Sequence, residues 1–355
     1  MSRKALLMNR STTRPSTLRW FGAAALTASL VATAACSDPA SGGGGGSKGS
    51  VSVVGFSVMK TANKQVIADF QKTSAGKGVT FKQSYGASGD QARAIIAGLK
   101  ADEAHLSLEP DVTKLTDENL VDSNWKDNAS KGILTQSVVS IVVRKGNPKG
   151  IKTWDDLVKP GIKIVTPNPG SSGSAKWNIL AAYGHVLAQG GSEADAQAYL
   201  KKFLANVAAF PGSGKDATTA FEGGTGDVLL SYENEAIEAR QAGADFDYII
   251  PPQTLLIQNP AVLTKKASSA AKKFLAFQQS KAGQTDYAKQ GFRPLDPSIK
   301  VDVKGANNSS DPFPAPATLL TVDKNFGGWS VANKKYFDEK DGIVTKLIAA
   351  SGKSS

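Results

Sequence analysis

Short apolar stretches alternate with amphipathic ones along the chain from residue 51 onward. Val51–Gly55 and Ser137–Arg144 carry the closely spaced apolar residues of buried strands. In the segment 92–99, by contrast, apolar residues recur every three or four positions, which predicts a helix with one buried face. Strands that alternate with helices in this way predict an α/β protein with largely parallel sheets.

The same patterns place the remaining elements. Further strands are predicted at 79–83, 105–108, 162–165, 227–231, 248–250 and 255–257. Further helices are predicted at 60–71, 175–189, 194–204, 218–221, 233–241, 268–279, 283–289 and 334–350. The chain of 355 residues is long enough for two α/β lobes with a cleft between them.

The first 35 residues have the pattern of an export signal. Basic residues are spread over 3–19, and the uncharged run Trp20–Ala35 follows. This run is shorter than the roughly 20 apolar residues that a membrane span needs. A basic segment, a short apolar run and small residues together predict a signal peptide at 1–35. Thr33–Cys36 resembles a bacterial lipobox, with Thr33 in place of the usual leucine, and predicts a lipidated Cys36; the alternative is an ordinary thiol.

The segment after this cysteine is rich in glycine and serine and includes five consecutive glycines at 42–46. Such a composition is typical of a flexible linker. We therefore expect 36–50 to tether a folded domain to the membrane through the lipid on Cys36. The domain itself is expected to be extracytoplasmic, on the periplasmic or cell-envelope side.

Charge and cysteine content exclude several classes of protein. The net charge is +11, but five basic residues lie in 1–35, which leaves +6 for the rest of the chain. This surplus is modest, and no aromatic residues interleave with the basic pairs, so we expect no nucleic-acid binding. Cys36 is the single cysteine, and His105 and His185 are far apart in sequence. The sequence therefore predicts neither a disulfide nor a metal site, and no cofactor.

Three predicted corners between strand and helix share one design. Gly86–Gly89, Ser171–Ser174 and Gly212–Lys215 each consist of small residues that precede or open a helix. The first N–H groups of a helix lack intrahelical acceptors and carry partial positive charge, so such a corner can bind an anion. The alternative for each corner is ordinary helix capping, for which serine and glycine are equally suited.

Catalytic motifs are not evident in the sequence. Gly214 and Lys215 do not belong to a phosphate-binding loop, because Ala209 stands where that motif requires glycine and Asp216 where it requires serine or threonine. No Gly-x-Ser-x-Gly elbow with a matching histidine and aspartate is found. Acidic residues near His105 are interpreted as a solvated rim. The chain is therefore not expected to be an enzyme.

At the three corners the sequence resembles the sulfate/thiosulfate-binding proteins of bacterial ABC importers. The resemblance extends from about Val51 to Pro294 and consists of several blocks in family order. These blocks are Gly86–Ala94, Val143–Gly150, Trp154–Gly161, Thr166–Pro169, Ser172–Asn178, Gly226–Leu230 and Glu233–Ala236.

The resemblance implies a two-lobed periplasmic-binding-protein fold of type II, with a ligand cleft between lobes that are joined by crossing strands. We expect residues 51–137 and 251–315 to form lobe 1 and residues 138–250 to form lobe 2. Residues 316–355 are expected to form a helical tail.

The family's site, carried over motif by motif, falls on Ser88, Ser172, Gly173, Ser174 and Gly214. Known members hold dehydrated sulfate through hydrogen bonds alone. Backbone N–H and hydroxyl groups suit this anion, which carries no proton at neutral pH. A phosphate that keeps a P–OH group would meet donors without an acceptor, which costs affinity.

Three positions depart from the family pattern. Tyr232 stands where many members have tryptophan, and Met59 stands where an aspartate typically organises the first loop. Tyr232 and Met59 are therefore included among the expected ligand-binding residues. Asp90 replaces a lysine, and its carboxylate is a candidate acceptor for a protonated oxyanion. Thiosulfate, molybdate and phosphate thus stay open beside sulfate.

The sequence and the resemblance together predict a monomeric solute-binding lipoprotein. It would pass sulfate or thiosulfate to a membrane permease with a cytoplasmic ATPase. Two alternatives from other classes are an enzyme on the same scaffold and a structural lipoprotein that binds no anion.

Overall fold

The computed structural model describes residues 49–353. The predicted signal peptide at 1–35, the predicted lipidation site Cys36 and most of the predicted tether lie outside the described residues. Within 49–353 no helix combines the length and the hydropathy that a membrane crossing requires.

Strands and helices alternate over most of this part of the chain. The strands are β1 (Ser50–Phe56), β2 (Thr80–Gly86), β3 (Glu103–His105), β4 (Ile133–Arg144), β5 (Ile164–Val165), β6 (Val207–Ala209), β7 (Val228–Tyr232), β8 (Phe246–Ile249), β9 (Gln253–Leu263) and β10 (Thr318–Leu320). The helices are α1 (Met59–Lys72), α2 (Ser88–Ile96), α3 (Glu109–Asp117), α4 (Gly173–Ala188), α5 (Glu193–Asn206), α6 (Gly214–Glu222), α7 (Glu233–Gln241), α8 (Ser269–Gln279), α9 (Lys281–Lys289), α10 (Val322–Phe326), α11 (Trp329–Phe337) and α12 (Ile343–Ala350). A single 3₁₀ turn at Trp154–Val158 precedes β5.

The sheets fall into two groups that share two long strands. In the first lobe, β1 pairs in parallel with β2 and β3, and β3 pairs antiparallel with the end of β9. In the second lobe, β5 pairs in parallel with β6 and β7, while β4 pairs antiparallel with β7 and β8. The first half of β4 pairs with the middle of β9, so these two strands cross between the lobes.

The prediction of largely parallel sheets is only half correct, because the two crossing strands, β4 and β9, pair with each other in antiparallel fashion. Strand β9 also extends well beyond the predicted 255–257. Asn259 and Pro260 interrupt its apolar pattern, but they lie at the crossing, where Pro260 lies opposite Ile133 beside a register shift. A proline without an N–H group is tolerated at such an irregularity.

The tail after residue 316 is not purely helical, because β10 pairs in parallel with β9 before the three last helices begin. Helix α11 contacts α3 of the first lobe, and α12 contacts α5 of the second. Trp329 of α11 packs edge-on against Trp177 of α4 with ring centroids 4.7 Å apart. The tail therefore lies against both lobes.

A buried polar cluster lies between the first sheet and its helices. Glu103 and His105 are both fully buried on β3, and Gln278 donates to Glu103 Oε1 at 3.0 Å. Burial raises the pKa of Glu103 to about 7 from an ordinary value of 4.5. A folded-state pKa above the unfolded one means that stability is greatest below the unfolded pKa and is lost as the pH rises through about 7.

Glu103→Gln is therefore expected to leave stability nearly unchanged at pH 5 and to raise the free energy of unfolding at pH 8 by up to about 3 kcal/mol. Urea denaturation of the variant and the parent chain between these pH values measures the difference. Glu222→Gln, at an exposed position of α6, is the matched control. A constant difference between Glu103→Gln and parent at all pH values would contradict this prediction.

Candidate functional site

The three predicted corners come together where the two lobes meet. The N–H group of Gly89, at the start of α2, donates to the carbonyl oxygen of Ser171 at 3.1 Å. The hydroxyl of Ser171 in turn donates to the carbonyl oxygen of Gly212 at 2.7 Å. A Cβ atom added to Gly214 would lie 2.9 Å from the hydroxyl of Ser174. Helices α2, α4 and α6 thus begin at one common place.

Ser88 is the first residue of α2 and is buried in this contact. Its hydroxyl donates to Asp111 Oδ2 at 2.7 Å and accepts from the N–H group of Ser107 at 2.9 Å. Lys114 lies 3.0 Å from the same carboxylate. The N-cap residue of α2, Ala87, offers no side-chain cap, so the first N–H groups of this helix are not occupied by a capping side chain.

The second corner also opens a helix without a capping side chain. Ser172 occupies the N-cap position of α4, yet its side chain makes no capping bond. The capping interpretation therefore does not hold for this serine. Gly173 faces the first lobe so closely that an added Cβ would lie 2.4 Å from Ser107 Oγ. Ser174 also acts on the Tyr232 hydroxyl and lowers its pKa, against the effect of burial.

The third corner is capped in the ordinary way, because the Ser213 hydroxyl accepts from the N–H group of Asp216 at 3.2 Å. Gly214 follows as the first residue of α6. The N–H group of Lys215 points across the lobe boundary to Ser57 Oγ at 3.5 Å. Ser57 belongs to the turn between β1 and α1, so a fourth corner from strand to helix reaches the same place.

Tyr232 ends β7 and is fully buried beside these corners. Its hydroxyl lies 2.7 Å from Ser107 Oγ. Burial raises its pKa, although hydrogen bonds with Ser107, Ser174 and Asn259 act in the opposite direction. The phenol therefore stays protonated at physiological pH and keeps one proton to donate.

Ser107 is held by a chain of polar groups on the crossing strands. Its carbonyl oxygen accepts from Asn259 Nδ2 at 2.8 Å and from Trp177 Nε1 at 3.0 Å. Thr135 donates to Asn259 Oδ1 at 3.3 Å, and His105 Nε2 lies 3.2 Å from the Thr135 hydroxyl. Strands β4 and β9 thus fix the position of the serine that contacts Tyr232 and Ser88.

Of the predicted residues, Met59 lies apart from the polar contacts. It opens α1, and its side chain is fully buried in the main hydrophobic cluster. Ser57, two residues earlier, supplies the polar group of this corner. Asp90 is about half exposed, with 55% of its side-chain surface accessible, and is paired with Arg93.

Sequence reasoning missed Ser57, Ser107, Asp111 and Asn259. Ser57 gave no such signal, because the large residues Phe56 and Val58 flank it, unlike the small residues of the other corners. Ser107 and Asn259 gave no signal either, because Ser107 lies in the loop between β3 and α3, Asn259 lies within β9, and neither has a glycine beside it.

The interpretation of Asp102, Glu103, Glu109 and Asp111 near His105 as a solvated rim is wrong for three of the four. Asp102, Glu103 and Asp111 are each at most 3% exposed, whereas Glu109 has 29% of its side chain accessible. Asp102 accepts from the backbone N–H groups of Ser52 and Ser268 and so joins β1 to the start of α8. No group of side chains within 49–353 is arranged to hold a metal ion.

The chemistry of the site is that of a small-anion receptor. It offers hydroxyls and the starts of three helices, of which α2 and α4 have no capping side chain. Two buried carboxylates stand behind these groups: Asp111 beside Ser88, and Glu235, whose Oε2 would lie 3.2 Å from a Cβ added to Gly214. Among the nearby cations is Lys176 on α4, whose pKa is lowered to about 8 by burial although the charge of Asp111 counteracts this. Converging N–H and O–H groups of this kind stabilise negative charge without a directly contacting cation.

Comparisons with known proteins agree with this geometry. The family model of the bacterial extracellular solute-binding proteins matches residues 51–293. The sulfate-binding protein of Synechococcus elongatus is 38% identical over 352 residues, which cover 94% of this chain and 96% of that protein. The thiosulfate-binding protein of Pseudomonas aeruginosa is 34% identical over 298 residues, covering 80% and 88%. The solved structure of the sulfate-binding protein SubI from Mycobacterium tuberculosis has 41% identity and a TM-score of 0.76, covering 81% of this chain and 99% of that one.

Proposed function

Because the chain belongs to the bacterial extracellular solute-binding proteins and has their two-lobed type II fold, we propose that it captures sulfate or thiosulfate for an ABC-type importer. The observation that carries this proposal is the convergence of Ser88, Ser172–Ser174, Gly214 and Tyr232 from both lobes. The sulfate- and thiosulfate-binding relatives support the choice of anion.

Each proposed ligand group has a defined role. The hydroxyls of Ser172 and Ser174 and the N–H groups of Gly173 and Gly214 donate from the second lobe. Tyr232 donates its single phenolic proton. From the first lobe, Ser88 contributes through the start of α2.

Met59 would contribute only through its backbone N–H at the start of α1, since its side chain packs in the hydrophobic core. A ligand that touches groups of both lobes binds the closed form more tightly than the open form. It therefore shifts the equilibrium toward closure.

The choice of anion depends on the direction in which the hydroxyl proton of Ser88 points. That proton points to Asp111, so sulfate binding requires either a turn of the hydroxyl or a contact through backbone alone. A lone pair of Ser88 that faces the site would instead accept from a protonated oxyanion. Hydrogen phosphate is therefore the second candidate, favoured by the Ser88–Asp111 contact.

Calorimetric titration of anion-free protein tests the proposal. The protein is unfolded, dialysed free of anions and refolded, and then titrated with sulfate, thiosulfate, molybdate and phosphate. Tight sulfate or thiosulfate binding with weak phosphate binding is expected. A preference for phosphate would assign the acceptor role to Ser88 and Asp111. No binding to any of the four would overturn the proposal, and turnover assays with sulfate and phosphate esters would then test the enzyme alternative.

Ser172→Ala is expected to weaken sulfate binding about tenfold or more, because it removes a hydroxyl that caps no helix and would donate to a charged ligand. Isothermal titration measures the affinity, and thermal unfolding without ligand should change little. Ser213→Ala is the matched control, since that serine does cap its helix. It should lower stability without a comparable loss of affinity. Unchanged affinity in Ser172→Ala would remove Ser172 from the site.

We also propose that the protein is an extracytoplasmic monomer anchored by a lipid on Cys36. It would deliver its anion to a permease driven by a cytoplasmic ATPase. Metabolic labelling with a radioactive fatty acid should mark the parent chain but not Cys36→Ser. Release of Cys36→Ser from the membrane fraction is the expected companion result.

A further inference from the structure

The first sheet has two opposite edges with different chemistry. Its parallel strands end at Phe56, Gly86 and His105, and the candidate site lies just beyond these carboxyl ends. The amino ends of the same strands lie at the other edge, together with the end of β9, which is antiparallel to β3. Whatever contacts this second edge is separated from the cleft by the length of the strands.

The loops of this second edge are basic. The loop before β2 carries Lys77, the loop before β3 carries Lys100, and the turn after β9 carries Lys265 and Lys266, all of them exposed. The acidic residue in these three loops is Asp102, which is buried and accepts two backbone N–H groups.

Apolar side chains accompany these lysines. Ile96 and Leu99, at the end of α2, are each 39% exposed and rank among the few large apolar residues that reach the surface of the described chain. Leu99 lines a cavity of about 360 Å³ together with Lys100, Lys265 and Lys266. We call Ile96, Leu99, Lys77, Lys100, Lys265 and Lys266 the basic edge. Apolar side chains surrounded by lysines are the composition of surfaces that bind at an anionic membrane interface.

The described chain begins at this same edge. Ser50 starts β1 opposite Thr80, and its carbonyl oxygen accepts from Ser268, two residues after Lys266. Twelve residues, 37–48, separate Gly49 from the proposed lipid on Cys36. Even fully extended, this segment reaches no more than about 45 Å. The proposed anchor is therefore attached at the basic edge and not at the cleft, which brings the basic edge within reach of the lipid surface.

We propose that the basic edge rests on the anionic headgroups of the membrane. This placement rests on the proposed anchor at Cys36 and is independent of which anion the cleft binds. With the basic edge on the membrane, the cleft faces away from the lipid, toward the medium from which the anion is taken. The loaded protein must then turn on its tether to present the cleft to a permease.

Neighbouring carboxylates limit the strength of the contact. Asp122 lies 3.7 Å from Lys265, and Asp117 and Glu118 are exposed at the end of α3. Four lysines of the basic edge against these three carboxylates leave a small positive excess. The attraction is therefore expected to be weak for the free domain and to matter because the anchor holds the domain near the surface.

Vesicle binding of the unlipidated chain isolates the basic edge from the anchor. The protein used is residues 36–355 with Cys36→Ser, since the described residues 49–353 belong to one compact unit. It is sedimented with phosphatidylcholine vesicles that contain about one third phosphatidylglycerol, and with pure phosphatidylcholine vesicles. Binding to the anionic vesicles alone, and its loss at high salt, are expected.

The variant Lys100→Glu, Lys265→Glu, Lys266→Glu should lose at least about tenfold of the partition to anionic vesicles, because each lysine contributes severalfold. The matched control is Lys201→Glu, Lys202→Glu, Lys334→Glu, which makes the same charge change at exposed positions of α5 and α11. The partition of the control variant to anionic vesicles should fall by less than half of that factor. Leu99→Ser is expected to give a smaller loss than the triple lysine variant.

Two outcomes would overturn the inference: equal loss in both triple variants, and no preference for anionic vesicles in the parent chain. An acidic partner protein would then be the better candidate to bind the basic edge. Sulfate titration of the same samples keeps the two proposals separate. Vesicle binding without sulfate binding would refute the proposed function alone, and sulfate binding without vesicle binding would refute the membrane contact alone.

Discussion

Replacing Gly173 by alanine is expected to reduce anion affinity by roughly five- to hundredfold. The added Cβ would lie 2.4 Å from Ser107 Oγ and 2.6 Å from Ser107 Cβ, distances far below van der Waals contact. Ser107 has no room to retreat, because Asn259 and Trp177 both bond its carbonyl oxygen. Overpacking of this kind costs about 1–3 kcal/mol, and here it falls entirely on the closed form. Isothermal titration with sulfate measures the loss.

Two companion variants make this result specific. Gly212→Ala, in the neighbouring corner, meets nothing closer than 3.6 Å and should bind nearly as well as the parent. Ser107→Gly removes the two atoms nearest to the new methyl group and leaves only Leu108 Cδ2, at 2.9 Å, as a close contact. The double variant Gly173→Ala, Ser107→Gly should therefore bind better than Gly173→Ala alone. Small-angle scattering should show Gly173→Ala more open in the presence of sulfate than the parent chain. Normal affinity in Gly173→Ala would show that the lobes close differently around the ligand.

Replacing Tyr232 by phenylalanine is expected to weaken sulfate binding about ten- to hundredfold. The change removes a buried donor to a charged ligand, which is worth about 1.5–3 kcal/mol. It also leaves Ser107 Oγ, now 2.7 Å from the phenolic oxygen, without that partner. Affinity is measured by calorimetry, and stability by thermal unfolding without ligand.

Tyr199→Phe is the control for Tyr232→Phe. Its hydroxyl donates to the carbonyl oxygen of Trp154 at 2.7 Å, buried in the second lobe and away from the corners. Both variants lose one buried hydrogen bond and should lose similar stability, but only Tyr232→Phe should lose affinity. Equal affinities for the two variants would place the phenolic proton outside the ligand contacts.

The fold was predictable from sequence where local pattern and final environment agree. The apolar run at Ser137–Arg144 lies within β4 as the pattern indicated. The periodic segment 92–99 starts inside α2, but this helix begins at Ser88 and ends at Ile96, so Leu99 lies beyond it. The full length of β9 was not predictable, because it pairs with β10, β4 and β3 in turn. Each partner imposes its own pattern of burial, and Pro260 interrupts the strand propensity.

The three corners of the candidate site were predictable from the sequence, but the residues that hold these corners in place were not. Small residues before a helix mark a place where backbone approaches a ligand, and this signal is local in sequence. Ser107, Asp111 and Asn259 become part of the site only through contacts that span up to 152 residues, as between Asn259 and Ser107. No local pattern encodes such contacts. Met59 was included through a family position, whereas Ser57 two residues earlier supplies the contact across the lobes.

The crossing of β9 between the lobes also determines the order in which the chain can fold. The sheet that starts at Ser50 lacks its fourth strand until Val262 and its neighbours pair with β3. The helices α8 and α9 that cover this sheet come later still. The second lobe, in contrast, has most of its strands within 133–249. Because closing such long loops is slow, the amino-terminal lobe should be the last to gain protection in pulse-labelled hydrogen exchange.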